Sequence, residues 1–297
     1  MSGELQYFTL NNGNKIPALS IFGTGTYWFK RDESQFSQKL ADQAAYVLSL
    51  PGVVHIDAAE YYRTYPELND ALKKTTKPRE EIWITDKYSK LAKTPREGLE
   101  YSLKTLGVDY VDLYLLHNPF ETEDYDIVSA WKILEELYKE GKAKNIGVSN
   151  FSVEDLQRII AEAEIVPQVN QIEYSAFLQN QTPGIFEFAK KNNIQLEAYS
   201  PLGPITAVKD KQGEFYDVLK ELSAKYGQEE TIILLRWVYQ TGVLPVTTSS
   251  KKERIVAASN IWKFELEDSE VEKISKLGAQ HKPVRQYFIE EYSKYDK

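Results

Sequence analysis

Short apolar runs alternate with longer amphipathic segments along most of this chain. Eight runs, at 19–22, 53–56, 82–85, 111–116, 145–148, 168–172, 195–199 and 243–247, have the length and side-chain character of buried strands. Between them, segments such as SQFSQKLADQAAYVLSL, TPREGLEYSLKTL, IVSAWKILEELYKEG and SVEDLQRIIAEA repeat apolar residues at helical spacing. Several open on Ser, Thr or Asp, which cap the first free N–H groups of a helix, and close on Gly. Ahead of the first run, YFTLNNGNKIPAL alternates around Asn-Asn-Gly-Asn and predicts a β-hairpin that plugs or caps the fold.

Eight alternating strand–helix units, with no low-complexity linker among them, predict an α/β fold: a closed (β/α)8 TIM barrel spanning residues 1–297 as one domain. A doubly wound sheet is the structural rival. If it bound a dinucleotide it would carry G-x-G-x-x-G after its first strand, and GTGTYW at 23–28 has Trp28 at the third glycine position.

Composition narrows the chemistry. The 297 residues include no cysteine, which removes disulfides, thiolate metal sites and cysteine nucleophiles, and fits a cytoplasmic protein. No secretory leader or membrane span is visible. A net charge of −8 argues against nucleic acid as a partner. Asn150-Phe151-Ser152 and Asn180-Gln181-Thr182 match the glycosylation pattern by chance in such a setting. The histidines lack metal-ligand spacing, so no metal is expected, and no G-x-S-x-G elbow marks a hydrolase.

In a barrel, the residues that follow each apolar run meet at one face. Here they are Gly25-Thr26-Tyr27, Asp57, Lys87, His117, Ser149-Asn150, Gln171 with Glu173, Tyr199-Ser200, and Thr248-Ser249-Ser250. Any one alone is an ordinary polar strand end. Together they put an acid, an ammonium and an imidazole on one face, with Tyr62 close by on the loop after Asp57. A phenol with an ordinary pKa of ~10 is a poor proton donor, and a nearby Lys charge lowers that value. A neutral His117 is suited to orienting a carbonyl, whereas His55 reads as packing. These residues suit proton transfer in carbonyl chemistry.

With Asp57, Tyr62, Lys87 and His117 in this order, and with GTGTYW, DAAEYY, ITDKY, DLYLLHNP, KNIGVSNF, VNQIEY and AYSPLG, the chain resembles the aldo-keto reductases from the hairpin to about residue 260. The resemblance implies an oxidoreductase that reduces an aldehyde or ketone by hydride transfer from NADPH, in preference to NADH. Tyr62 is then the general acid, Lys87 paired with Asp57 tunes it, and His117 orients the carbonyl. It further implies Ser149, Asn150 and Gln171 on the nicotinamide carboxamide and Tyr199 stacked on its ring. Gly25, Thr26, Tyr27, Asp57, Ser200, Leu202, Thr248, Ser249, Ser250, Lys251 and Arg254 complete the expected cofactor groove. One departure is that PVTTSSKKER stands where many members have Pro-Lys-Ser, so Lys251 or Lys252 supplies the phosphate charge, with Arg254 able to fork onto phosphate oxygens. HNP and VTTSSKKERI resemble fungal members that reduce α-keto amides, keto esters and conjugated polyketones. Tyr27, Trp28, Tyr61, Tyr88, His117 and Phe120 are the candidate substrate wall.

Two other functions compete: a lyase or aldolase forming a Schiff base on Lys87, and a non-catalytic NADPH-binding regulator. The tail from 283 to 297 is expected to fold over the barrel mouth. A small carbonyl compound is the expected partner, and a monomer the expected state, with a dimer as the alternative.

Overall fold

The computed structural model describes residues 4–296. Strands β1 (Tyr7–Thr9) and β2 (Lys15–Pro17) form the predicted antiparallel hairpin. Eight parallel strands follow in one sheet: β3 (Phe22–Gly23), β4 (His55–Asp57), β5 (Trp83–Tyr88), β6 (Leu113–Leu116), β7 (Ile146–Ser149), β8 (Val169–Glu173), β9 (Gln195–Tyr199) and β10 (Leu244–Pro245). They pair in sequence order, and a parallel bridge from Ser20 to Val246 joins the first to the last, closing the barrel. Helices surround it: α1 (Gln38–Ser49), α2 (Tyr65–Lys74), α3 (Pro95–Leu106), α4 (Ile127–Lys139), α5 (Val153–Ile160), α6 (Ile185–Lys191), α7 (Gly203–Thr206), α8 (Glu214–Tyr226), α9 (Glu230–Gln240), α10 (Lys252–Ala258), α11 (Asp268–Gln280) and α12 (Ile289–Tyr292).

Local chemistry starts and stops these helices. The side chains of Ser37, Thr94, Asp126 and Ser152 cap α1, α3, α4 and α5, and Gly107 ends α3 in a left-handed conformation (φ 70°). None of them reaches the length and apolarity of a membrane span among the described residues.

The interior of the barrel is layered. At the N-terminal end, Leu10 and Ile16 of the hairpin pack with Trp83, Leu113, Leu115, Val169, Leu244 and Val246 into an apolar floor. The hairpin is therefore a plug, tied down by Asn11 donating to the Pro167 carbonyl and Asn12 to Asn145. Above the floor the interior becomes polar, and this layer carries the site.

β5 continues past its apolar run as far as Tyr88, β4 ends on Asp57 and β8 on Glu173. The polar residues expected just beyond these strands are thus inside them, where each finds a partner: Lys87 on the neighbouring strand β4, Asp57 on β8 across the barrel, and Glu173 on the tail. The tail forms a strap over the C-terminal strand ends. Val284 N–H donates to the Phe177 carbonyl, the Gln286 and Tyr287 N–H groups donate to Glu173, and the Tyr292 hydroxyl donates to the Asn150 carbonyl.

Gly147 marks how tightly the interior is filled: a Cβ there would lie 2.5 Å from the Val169 carbonyl oxygen and 2.8 Å from Leu115 Cδ2. Gly147→Ala is expected to destabilise the protein by about 1–3 kcal/mol through overpacking. Equilibrium denaturation checks this, and an unchanged midpoint would contradict the packing described.

Candidate active site

Side chains alternate across a strand, so His55 and Asp57 on β4 share the barrel interior with Trp83, Thr85 and Lys87 on β5. Lys87 is fully buried. Its Nζ donates to Asp57 Oδ1 at 2.6 Å and to the Ala58 carbonyl at 2.9 Å. Asp57 Oδ2 accepts from Gln171 Nε2 at 2.8 Å, and the same nitrogen donates to Glu197 Oε2 at 2.6 Å. Strands β4, β5, β8 and β9 therefore share one buried polar ladder. Burial works against the Lys87 ammonium more than any single neighbour favours it, but the attraction and hydrogen bond of Asp57, together with Tyr62 and Glu197, outweigh burial and hold the lysine protonated.

Tyr62 ends the 3-10 turn Glu60–Tyr62 immediately after β4. Its ring centroid lies 5.1 Å from Lys87 Nζ, and the His117 ring meets it edge-on at 5.7 Å. Gly25 makes room for this ring, since a Cβ there would stand 3.0 Å from Tyr62 Cζ. Burial raises the Tyr62 pKa, and the Lys87 charge opposes the rise without cancelling it. The expectation that lysine brings the phenol below its ordinary value is corrected: desolvation is the larger effect. Burial, aided by the charges of Lys87 and Lys90, pushes His117 down to about 3, so its imidazole is neutral.

Several expected cofactor residues meet beside this centre. Asn150 Nδ2 donates to the His117 carbonyl and to Ser149 Oγ, while Asn150 Oδ1 accepts from the Tyr199 hydroxyl at 2.7 Å and from Gln181 Nε2 at 2.9 Å. Ser149 Oγ donates to the Gln171 carbonyl. Because Gln171 Nε2 is spent on Asp57 and Glu197, its Oε1 is left as the acceptor of that amide. Arg63, Lys90, Asn150, Ser200 and Phe288 all adopt positive φ angles, between 50° and 66°, in the loops and strap around the mouth. Such backbone strain concentrates at functional sites.

On the far side, Leu202 precedes α7, and Ser250, Lys251 and Arg254 stand exposed around the start of α10. Lys252, also exposed, lies over the Tyr46 ring at 4.4 Å. Ser249 Oγ accepts from the Lys251 N–H. Thr26 and Tyr27 are exposed on the loop after β3.

The residues expected to form the substrate wall take up different places. Tyr88 is buried beside Tyr125, with its hydroxyl donating to the carbonyls of Ala92 and Lys93. Trp28 is buried on Phe22 and donates from Nε1 to Thr248 Oγ1, so it ties the first loop to the last strand. Phe120 packs against Phe288 and Tyr292 and seats the strap. Tyr61 remains at the rim, half exposed and stacked on Phe29 at 5.1 Å. Tyr287 of the strap meets Tyr199 edge-on at 5.6 Å.

Sequence reasoning missed Glu197, Glu60 and Ser89. A signal for Glu197 was present, because Gln195, Glu197 and Tyr199 share one face of β9. Glu60 is buried and collects the N–H groups of Ser89, Leu91 and Ala92. Nothing in the spacing announced that loop.

A closed barrel with a buried Lys–Asp pair, a phenol and a neutral imidazole at its C-terminal mouth defines an enzyme of carbonyl chemistry. The chain belongs to the aldo/keto reductase family, whose pattern matches residues 21–279. Over 307 aligned residues it is 57% identical to the NADPH-dependent alpha-keto amide reductase of Saccharomyces cerevisiae, covering 100% of this chain and 98% of that one. It is 37% identical to the NAD/NADP-dependent indole-3-acetaldehyde reductase of Schizosaccharomyces pombe, covering 91% and 94% of the two chains. The methylglyoxal reductase of Escherichia coli is 35% identical, with 90% and 92% covered. Among solved structures, a Bombyx mori aldo-keto reductase in complex with NADP superposes with a TM-score of 0.84 at 28% identity, covering 99% of each chain.

Burial, with the Asp57 charge close by, raises Glu197 to about 8 from an ordinary 4.5. The fold thus keeps protonated a carboxyl that the unfolded chain ionises, and this contribution to stability is lost as pH rises through the folded value. The wild type is expected to lose more Tm between about pH 5 and pH 9 than Glu197→Gln. Calorimetry checks this, and parallel profiles would contradict it.

Proposed function

We propose that this protein is an NADPH-dependent reductase of small aldehydes and ketones, with Tyr62 as the general acid. The single observation that carries the reading is the convergence of Tyr62 with Lys87 and neutral His117 at one point of the barrel mouth. Gln181 Oε1, beside Asn150 and Tyr199, is buried without a partner, and Gln171 Oε1 is unspent, so the pocket has polar capacity suited to a carboxamide. Tyr199 offers an aromatic ring next to these groups, and Lys251 and Arg254 fit the phosphate end.

When bound, the cofactor supplies the hydride. The chain's own residues do the rest. His117 holds the carbonyl oxygen by a hydrogen bond, which fixes its distance from the Tyr62 hydroxyl. The Tyr62 O–H gives its proton to that oxygen as negative charge develops there. The Lys87 ammonium then stabilises the phenolate left behind, and Asp57 keeps Lys87 charged throughout. The strap excludes water from the mouth.

The relatives support α-keto amides and dicarbonyls as substrates, since those named above act on an α-keto amide and on methylglyoxal, and keto esters are proposed beside them because they carry the same α-keto acyl group. The stacked pair of Phe29 and Tyr61, with exposed Tyr27, gives the rim an aromatic surface for the substrate's organic group. A Schiff-base role for Lys87 is disfavoured, because that chemistry needs a neutral, reachable amine and this one is buried and charged. A chain without cysteine suits work in the cytoplasm.

The test is NADPH consumption with an α-keto ester. Tyr62→Phe is expected to lower kcat by about 10²–10⁴-fold while NADPH affinity holds. NADH is expected to support slower turnover than NADPH. A Tyr62→Phe enzyme as fast as the wild type would overturn the assignment.

A further inference from the structure

His117 can orient a carbonyl only if the proton of its neutral ring sits on the nitrogen facing the substrate, and the structure contains a device that sets this. His117 Nδ1 lies 2.7 Å from Ser89 Oγ, while Nε2 makes no protein hydrogen bond among the described residues. The Ser89 hydroxyl has one proton and two acceptors within reach, Nδ1 at 2.7 Å and the Lys87 carbonyl at 3.4 Å. Its oxygen already accepts from the Tyr61 N–H at 3.3 Å. Geometry therefore sends the hydroxyl proton to Nδ1, since the competing contact is long.

We propose that Ser89 is a positioning residue: its hydroxyl donates to His117 Nδ1 and so fixes the tautomer in which Nε2–H points at the substrate carbonyl. Glu60 locks the arrangement. Its carboxylate accepts from the Ser89, Leu91 and Ala92 N–H groups at 2.8, 3.2 and 2.6 Å, and it shares a 3-10 turn with Tyr62. One buried carboxylate thus ties the turn bearing the acid to the loop bearing the residue that orients the imidazole. An outer partner that fixes which ring nitrogen carries the proton is a general requirement of catalytic histidines.

The inference rests on the reductase reading above, and its test has a readout independent of turnover. In 15N NMR of the whole protein, wild-type His117 is expected to show an unprotonated Nδ1 and a protonated Nε2. Ser89→Ala is expected to show a mixture of tautomers, and Ser89→Thr the wild-type pattern. In kinetics, Ser89→Ala is expected to lower kcat/KM for a keto ester by about 10-fold at unchanged NADPH affinity and Tm, with Ser89→Thr restoring most of it. A wild-type ring protonated at Nδ1, or a Ser89→Ala ring with an unchanged tautomer, would overturn the proposal. If instead the tautomer pattern is as expected but Tyr62→Phe retains full activity, the reductase assignment fails and the role of Ser89 in setting the tautomer stands.

Discussion

The ion pair between Lys87 and Asp57 is the constraint around which the rest of this structure is arranged. An ammonium with no exposed surface is costly in a protein interior, and removing its partner from such a pair typically costs about 3–5 kcal/mol. Here the cost is offset by short, saturated geometry: Lys87 reaches a carboxylate oxygen at 2.6 Å and a carbonyl at 2.9 Å, and the second carboxylate oxygen is held by Gln171. Hydrophobic residues would fill the same volume without that penalty. What they would not provide is a fixed positive charge directly below a phenol. The apolar floor beneath and the strap above keep water from weakening that charge.

Electrostatics at the mouth fixes the protonation states of three neighbours. Lysine remains charged because aspartate faces it, tyrosine remains protonated because burial outweighs the lysine, and histidine remains neutral because burial and two lysines oppose its cation. Each state is the one its proposed task requires: a charge to stabilise a phenolate, a proton to give, and a donor to orient without ionising. Carboxylates set further back do the mechanical work. Glu60 gathers the loop after β5, and Glu173 accepts from two successive N–H groups of the strap. Glu197 holds the amide of Gln171 in one orientation, so the layer above it inherits its geometry from the layer below.

Much of this was legible in the chain. The alternation of apolar runs and amphipathic segments gave the barrel and its hairpin plug, and reading the residue after each run led to Asp57, Lys87 and His117. It fell short where a polar residue belongs to a strand. Lys87, Asp57 and Glu173 extend their strands because partners distant in sequence satisfy them, on the neighbouring strand, across the barrel and in the tail, and a run-based reading sees none of these. Aromatic residues near strand ends show what sequence alone does not resolve. Tyr88 and Trp28 look like pocket lining in sequence, but their rings are buried and their polar atoms are spent on neighbouring groups. Ser89 and Glu60 were invisible because their importance lies in hydrogen bonds between loops that sequence separation hides.

The central claim is that a buried charge pair makes Tyr62 an effective proton donor. The most direct measurement is single-turnover NADPH oxidation by the double variant Lys87→Met/Asp57→Leu, which replaces the pair with apolar side chains of similar size and so avoids leaving one charge unpaired. The account predicts a folded protein that binds NADPH but oxidises it about 10²-fold or more slowly in the presence of a keto ester. Hydride transfer at the wild-type rate in that variant would contradict it.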